Sequence, residues 1–416
     1  MPAGTLIVGA SHSGMQLAAS LRENGDTEPI VLVGAEPHLP YHRPPLSKGL
    51  LAGTATVESL ALRSESFYRD HGIDVVTGEY VTQIHRDSDG GEAITTTGAR
   101  IDFGRLALTV GAEVVALPVP GADLEGVHYL RDLSDALAIS VAVRAAHDVV
   151  VVGGGFIGLE AAATARKLGA RVTVVEAAGR LMGRAVEEEI SSFFLDAHRN
   201  NGIEVFLGSA VQEIRGADGM ATGVELADGR IVRADLVLVG IGVRPRTALA
   251  ESMGLECQDG VVVDEFGRAS DGLTVAAGDC ASMPNPAPGG SGRRRIESVN
   301  NATEHAKNAA RTLLGNPAPY QLIPWFWSDQ GDLKLQMVGD VSAPGLERVV
   351  RGEPSSGAFS VLFFDDGRLR GAQCVNRPVD FVTVRNLLGK VMTVNMAECA
   401  DMSVPLKKLV VTSAAA

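Results

Sequence analysis

Cysteine is scarce: 416 residues contain four, Cys257, Cys280, Cys374 and Cys399, far apart and in neither a Cys-x-x-Cys nor a metal-ligand spacing with histidine. That excludes a disulfide framework or a zinc ribbon and leads us to expect buried thiols in a reducing compartment. Long apolar runs are missing too. The longest candidate, VVVVGGGFIGLEAAATA, is cut by glycines and Glu160 before it reaches the roughly 18 residues a membrane-crossing helix needs. There is no surplus of cations; a net charge of −13 argues against nonspecific nucleic-acid binding and requires any acidic partner to dock on a local basic patch. The first residues show neither a charged n-region nor an apolar h-region, so a cytoplasmic protein without membrane attachment is expected. What is present, 45% apolar and 21% charged residues, suits two or three globular domains, each with its own core.

An internal repeat organises the chain. TLIVGASHSGMQLAASLRENGDTEPIVLVGAE (5–36) and VVVVGGGFIGLEAAATARKLGARVTVVE (149–176) share an order of strand, glycine loop, Ala-rich helix, polar turn, Val-rich strand and terminal Glu. Both predict βαβ units with parallel strands. Each has a later counterpart, RLALTVGAEV (105–114) and DLVLVGIGVRP (235–245), a short buried strand leaving through a glycine turn. Between them lie meander strands, with a turn at DSDGGEA near Asp89 and Asp228-Gly229 suited to a type I′ hairpin. NPAPGGSGRRR (285–295) predicts a loop and ATEHAKNAARTLLG a helix stopped by Gly315 and Pro317. From about Tyr320 the pattern becomes antiparallel strands, with Asp366-Gly367 turning a hairpin, and a last helix near 378–390. The expected fold class is α/β: two Rossmann-like dinucleotide-binding domains, the first discontinuous (1–114 and 243–320), the second at 115–242, and an α+β domain at 321–416.

The second loop, Gly153-x-Gly155-x-x-Gly158, follows a four-valine strand and opens a helix, and Glu176 ends the next strand. The first glycine permits a tight turn, the second lets a pyrophosphate approach the backbone, and the third allows close packing of helix on strand. The helix N-terminus offers free N–H groups and a partial positive charge to the phosphates. A carboxylate at Glu176 accepts from a ribose 2′-OH and repels a 2′-phosphate, which predicts NADH over NADPH; Arg180 and Arg184 nearby are cations that act against this. In the first loop, Gly9, Ser11 and Gly14 form the same pattern with serine in the middle. Serine is small enough for close approach, and its hydroxyl can donate to a phosphate. The acidic partner is less clear. IVLVGAEP places Ala35 at the strand end and Glu36 one position on, so either Glu36 reaches back to the ribose or that contact is missing.

Both loops, PYHRPPLSK (40–48), TVGA, GIGVRP, AAGDCA, RIESVNNA (295–302) and WFWSDQ (325–330) together resemble the FAD- and NAD(H)-dependent ferredoxin reductases of bacterial oxygenase systems, the putidaredoxin reductase-like and biphenyl dioxygenase ferredoxin reductase-like proteins. The match runs nearly the whole chain and implies the glutathione reductase-like two-dinucleotide fold. It implies that the first βαβ unit holds FAD, with Ser13 on the pyrophosphate, Lys48 and Arg131 in the FAD site, and Val81 touching adenine through its backbone. Asp279 falls on the ribityl and pyrophosphate region, and Val299 and Trp327 border the isoalloxazine. Trp325 and Trp327 are expected to face different partners, so that only one, Trp327, meets the flavin. On the NAD side the resemblance maps Gly155, Ile157, Glu160, Glu176, Arg184, Gly242 and Glu297. It also implies a Lys48–Glu160 ion pair beside the flavin, although a carboxylate in the first turn of a helix ordinarily serves as a cap.

Disulfide reductases and thiol peroxidases of this fold carry redox cysteines after the early helices of the FAD domain. Here that region reads RPPLSKGLLAG, without cysteine, so electrons must leave the flavin directly. The implied reaction is hydride transfer from NADH to FAD, then two single-electron transfers to a two-iron two-sulfur ferredoxin. Arg63, Arg293, Arg294, Arg295, Lys307, Arg385, Lys390, Lys407 and Lys408 are the candidate basic dock for that acidic partner. By resemblance, NRPVDF and SVPLKKL lean toward a haem-thiolate monooxygenase over a Rieske dioxygenase as terminal acceptor. Two rival readings are an NADH oxidase and a non-catalytic FAD/NADH-sensing binding protein.

Overall fold

The computed structural model describes residues 4–341, 343–390 and 392–411. Its contacts divide the chain into two compact units, residues 1–42, 58–113 and 244–324 in the first and 43–57, 114–243 and 325–416 in the second.

The first unit is built on a five-stranded parallel sheet in the order Val275–Ala276, Arg105–Leu108, Thr5–Val8, Ile30–Gly34, Ile73–Thr77. Strand alternation sends Leu6 and Val8 to one face and Ile7 to the other. Leu6 and Val8 pack with Val81, Ile84, Ala93 and Phe103 of an antiparallel meander, Val81–Asp87, Gly90–Thr95 and Arg100–Phe103. Ile7 packs with Leu17 and Leu21 of helix His12–Glu23 and with Ala306, Ala309 and Ala310 of helix Val299–Leu313. Both sheet faces are thus covered, which is why the central strand TLIV has no polar alternation.

The second unit repeats this plan. Its parallel sheet runs Ile203–Phe206, Arg171–Val175, Asp148–Val152, Leu236–Val239, Val127–Tyr129. Val149 and Val151 join Leu159, Ala162 and Phe194 on the helical side, while Val150 and Val152 join Ile214, Val224 and Leu226 of the meander on the other. Full burial of each such valine stabilises by about 1.5–3 kcal/mol. Residues beyond Trp325 form a five-stranded antiparallel sheet, Trp325–Gln330, Leu333–Gly339, Arg368–Val375, Phe359–Asp365 and Glu347–Arg351, with helix Pro378–Leu388. Phe359, Val361, Phe363 and Val375 share one core with Ile190 and Phe194 of helix Glu188–Asn200, so this sheet packs on the nucleotide fold of its own unit.

One turn differs from expectation. A type I′ turn needs left-handed φ at both central residues, but at Asp228-Gly229 only Gly229 has it (φ 84°). Gly229 N–H donates to Leu226 O and Leu226 N–H to Arg230 O, which makes a three-residue loop with a glycine bulge. The two-residue I′ geometry occurs at Asp218-Gly219 (φ 53° and 84°) and Asp366-Gly367 (φ 48° and 70°).

Candidate functional site

In the second unit the glycine loop leaves strand Asp148–Val152 and caps helix Phe156–Lys167. Gly153 has φ 110°, and a Cβ there would overlap the carbonyl oxygen of Gly240. A Cβ on Gly158 would likewise strike the carbonyl oxygen of Gly153. Gly155 differs: its backbone is extended (φ −82°, ψ 178°), and a Cβ would meet nothing within 4 Å. The fold therefore requires the outer two glycines for itself and leaves space over the middle one, the opening a pyrophosphate would need. Glu176 accepts from the N–H groups of Gly154 and Ala178, each at 2.6 Å, which holds its carboxylate beneath the loop. Arg180 donates to the carbonyl oxygens of Val186 and Gly183, both at 2.6 Å, and is committed to its own turn. Arg184 approaches Gly242, and Ile157 stands 47% exposed in the first helical turn.

The first unit holds the other loop. Gly9 (φ 114°) and Gly14 are required in the same way, against Thr109 O and Gly9 O. Ser11 is the N-cap of helix His12–Glu23 with extended backbone (φ −136°), a conformation open to any L-residue. Ser13 Oγ donates to Ala302 O at 2.8 Å, and a Cβ on Gly278 would collide with that hydroxyl. Gly278 precedes Asp279, and Ala302 belongs to the helix that starts at Val299. Ser13, Asp279 and Val299 thus gather around the loop at the C-terminal ends of the parallel strands, where ligands of such sheets bind. The strand ends at Gly34, one residue before Ala35, and Glu36, two residues beyond the strand, accepts from Tyr41 Oη. Val81 is buried at the start of the meander. His12 and His42 meet edge to face, 5.7 Å between centroids; burial and the Arg63 cation hold His42 below its ordinary pKa.

Lys48, Arg131 and Trp327, expected at the FAD, lie in the second unit, and Glu297, expected at NAD, lies in the first, where it pairs with Arg295. Lys48 Nζ stands 2.6 Å from Glu160 Oε2. The hydroxyl of Ser47 donates to the same oxygen at 2.6 Å and that of Ser328 to Oε1 at 2.7 Å. Glu160 is 4% exposed, and its oxygens serve these side chains and not the helix end. Geometry of this quality, with the remaining lone pairs occupied, is what lets a buried ion pair offset its desolvation. Segment Pro44–Ser47 is fixed to the same helix by Thr164 Oγ1, which donates to Ser47 O at 3.0 Å, and the main-chain oxygen of Arg131 accepts from Arg43 at 2.8 Å. The expectation that Trp325 and Trp327 face different partners is overturned. Residues i and i+2 of a strand share a face, and the two indoles stack with centroids 5.4 Å apart. Phe326, between them, turns the other way and packs on Phe156.

The candidate dock is uneven. Arg293 donates to Val263 O and Ser282 O, Arg295 pairs with Asp259 and Glu297, and Lys307 pairs with Glu304. Arg63 lies over Phe67, and Arg385 over both Trp325 and Phe381. Lys390, Lys407 and Lys408 are exposed, whereas Arg294 is half-buried. All four cysteines are free; three are buried, and Cys257 is half-buried. Burial pushes Cys280 up to about 11 and Cys374 up to about 12, values of inert thiols. Among the described residues no helix is long and apolar enough to cross a membrane, and no group of His, Cys, Asp and Glu is arranged to hold a metal ion. Sequence reasoning missed Ser47, Ser328, Gln330 and Met182. The visible signal was Ser328 and Gln330 at alternate positions, on the same strand face as Phe326.

Residues 4–306 match the family model described as pyridine nucleotide-disulphide oxidoreductase, and residues 325–410 the one described as reductase C-terminal. The chain is 43% identical over 402 residues to rhodocoxin reductase of Rhodococcus erythropolis, which covers 97% of this chain and 93% of that protein. Among solved structures it is similar to the ferredoxin reductase for the CYP199A2 system from Rhodopseudomonas palustris, with TM-score 0.92, 41% identity, and 97% and 99% of the two chains covered. It is equally similar in shape to the reductase of a covalent putidaredoxin reductase–putidaredoxin complex, with TM-score 0.92, 37% identity, and 98% of each chain covered.

Proposed function

The chain belongs to the pyridine nucleotide-disulphide oxidoreductases, among the FAD- and NAD-dependent ferredoxin reductases of oxygenase systems, and from that premise we propose that it carries electrons from NADH to a two-iron two-sulfur ferredoxin in the cytoplasm. The terminal acceptor in this proposal is a haem-thiolate monooxygenase. The rhodocoxin, CYP199A2-system and putidaredoxin relatives support the partner class.

The observation that carries the proposal is the pair of half-buried Lys48 with buried Glu160. The segment that bears redox cysteines in disulfide reductases of this fold here presents a lysine, tied to Glu160, the fifth residue of the helix behind the NAD loop and so beyond the first turn expected from the sequence. FAD, when bound, supplies the conversion of a two-electron donor into single-electron output. The residues of this chain do the rest. Gly9, Ser11, Ser13, Gly14, Glu36, Val81, Asp279 and Val299 in the first unit, with Lys48, Arg131 and Trp327 in the second, are proposed to hold FAD. Gly153, Gly155, Ile157, Gly158, Glu160, Glu176, Arg184 and Gly242, with Glu297, are proposed to hold NADH. Glu176 selects the free ribose hydroxyl, and with Arg180 engaged by carbonyl groups the cation nearest in sequence is not offered to a 2′-phosphate. Lys48 places a positive charge in the site, and Glu160 fixes where it points. Arg385, Lys390, Lys407 and Lys408 are the exposed cations proposed for the ferredoxin on the second unit, and Arg63 and Lys307 those on the first, with the half-buried Arg294; Arg293 and Arg295 contribute charge while held by internal bonds.

Reduction of cytochrome c with NADH, reconstituted with two-iron ferredoxins from the same genome, tests the proposal. Turnover that depends on ferredoxin is expected. Equal NADH consumption without it, at the expense of oxygen, would instead identify an NADH oxidase.

A further inference from the structure

Strand Trp325–Gln330 has two working faces. Trp325, Trp327 and Asp329 alternate with Phe326, Ser328 and Gln330, and the second set meets the nucleotide fold of the same unit. Phe326 packs on Phe156 with ring centroids 4.7 Å apart, Ser328 reaches Glu160, and Gln330 reaches His198 and Met182. Ser328, Gln330 and His198 are each at most 1% exposed.

The hydrogen bonds of this buried chain all run one way. His198 Nε2 lies 2.8 Å from Gln330 Oε1. A carbonyl oxygen only accepts, so His198 carries its proton on Nε2; its Nδ1 has no hydrogen-bond partner among the described residues. Gln330 Nε2 then donates to Ser328 Oγ at 3.3 Å and to Met182 Sδ at 3.4 Å. The sulfur is an acceptor, which fixes the amide in this orientation. With a donor already on its oxygen, the Ser328 hydroxyl directs its own proton to Glu160 Oε1. Oε2 is left to face Lys48 and Ser47. Met182 N–H also donates to Gly154 O at 2.9 Å, and Met182 holds a left-handed φ of 51°, so the same amide that orients Ser328 touches a strained residue bonded to the NAD loop. A buried polar chain is costly unless every step is satisfied, and each donor step here ends on the Glu160 carboxylate or on the residue that braces the loop.

We infer that Ser328, oriented by Gln330 and His198, is the positioning residue of Glu160, setting the carboxylate so that one oxygen is presented to Lys48. The inference rests on the reading of Lys48 and Glu160 as the charge pair of the NADH–FAD site. Ser328 acts through Glu160 and touches neither cofactor in this account.

The test uses FAD-loaded protein in five forms: wild type, Ser328→Ala, Ser328→Thr, Glu160→Gln, and Glu160→Gln with Ser328→Ala. Crystal structures without NADH read the Glu160–Lys48 contact, and anaerobic stopped-flow reads flavin reduction by NADH. In Ser328→Ala, Glu160 Oε2 is expected beyond hydrogen-bond reach of Lys48, with reduction slowed about tenfold. Ser328→Thr, which keeps the hydroxyl, is expected to retain the contact and a rate within about threefold of wild type. In the Glu160→Gln background Ser328→Ala is expected to add less than about twofold, the signature of residues acting as one unit. An unchanged Glu160–Lys48 contact in Ser328→Ala, or a full tenfold effect on top of Glu160→Gln, would overturn the inference. The crystallographic arm needs no turnover: if the wild type takes no electrons from NADH, the functional proposal fails while the positioning inference is still decided by the contact.

Discussion

The two glycine loops close alike and differ beneath. Gly9 N–H donates to Val33 O and Gly153 N–H to Val175 O, both at 2.8 Å, so the residues after those carbonyls correspond: Gly34 in the first unit and Glu176 in the second. Glu176 fills the space under its loop and takes the amide of Gly154. Gly34 lies so near the first loop that a Cβ would come within 2.6 Å of the Ala10 Cβ, which leaves no room for an acid; the next carboxylate along the chain is Glu36, two residues on and bonded to Tyr41. One loop is backed by a fixed acid suited to a ribose diol; the other is backed by backbone alone, with Ser13, Gly278 and Asp279 gathered above it. The same βαβ frame is thereby set for two different dinucleotides, and the middle residue matters least to the frame. Ser11 and Gly155 both occupy extended N-cap positions.

The largest expected effect would break the frame itself. Gly9→Val and Gly153→Val force a side chain into a carbonyl oxygen at left-handed φ and should each cost about 3 kcal/mol or more in denaturant unfolding, whereas Gly155→Ser should stay within about 1 kcal/mol. Equal losses at Gly155 and Gly153 would erase the distinction between frame and opening. Next is the acid beneath the second loop. Glu176→Ala should lower kcat/KM for NADH roughly 10- to 30-fold while sparing NADPH, as steady-state kinetics with both nucleotides will show. A smaller effect concerns the exposed cations: ferredoxin reduction should slow roughly threefold as salt rises from about 0.05 to 0.3 M, and a rate indifferent to salt would remove the dock.

A final effect, on stability in acid and not on rate, compares two buried histidines, His198 of the second unit and His305 of the first. His198 has Gln330 as partner, while His305, stacked on Tyr320, has neither ring nitrogen bonded among the described residues, and burial lowers it to about 4. Below pH 6.5 the unfolded chain takes up a proton that folded His305 refuses until about pH 4. Stability should therefore fall across that window by up to roughly 3 kcal/mol. His305→Phe should flatten that part of a urea-derived stability–pH profile; a slope as steep as wild type would show that other groups govern acid unfolding.

Much of this was legible in the chain. Local order carries the βαβ repeat, because glycine loops, Ala-rich helices and doubly buried valine strands announce themselves over about 30 residues. Glu176 was legible for the same reason: its distance from the loop is set by one helix and one strand. The strand end before Glu36, expected at Ala35 and found at Gly34, was less so, since the end of a strand depends on hydrogen bonds to its neighbours, here with Ile73–Thr77, more than on its own residues. Asp228-Gly229 has the residues of a type I′ turn, yet the strands beside it are spaced by three residues. The link from Ser47 and Ser328 to Glu160 spans sequence separations of 113 and 168, beyond any local pattern. The shared face of Trp325 and Trp327 needed only the two-residue period of a strand.

The division of labour between the loops can be measured in one sample. NAD+ is titrated calorimetrically into Gly155→Val holoprotein, and FAD content is read from flavin absorbance. The account predicts full FAD content with NAD+ affinity weakened at least about tenfold, because valine fills the opening over the second loop alone. FAD lost and NAD+ affinity intact would contradict it.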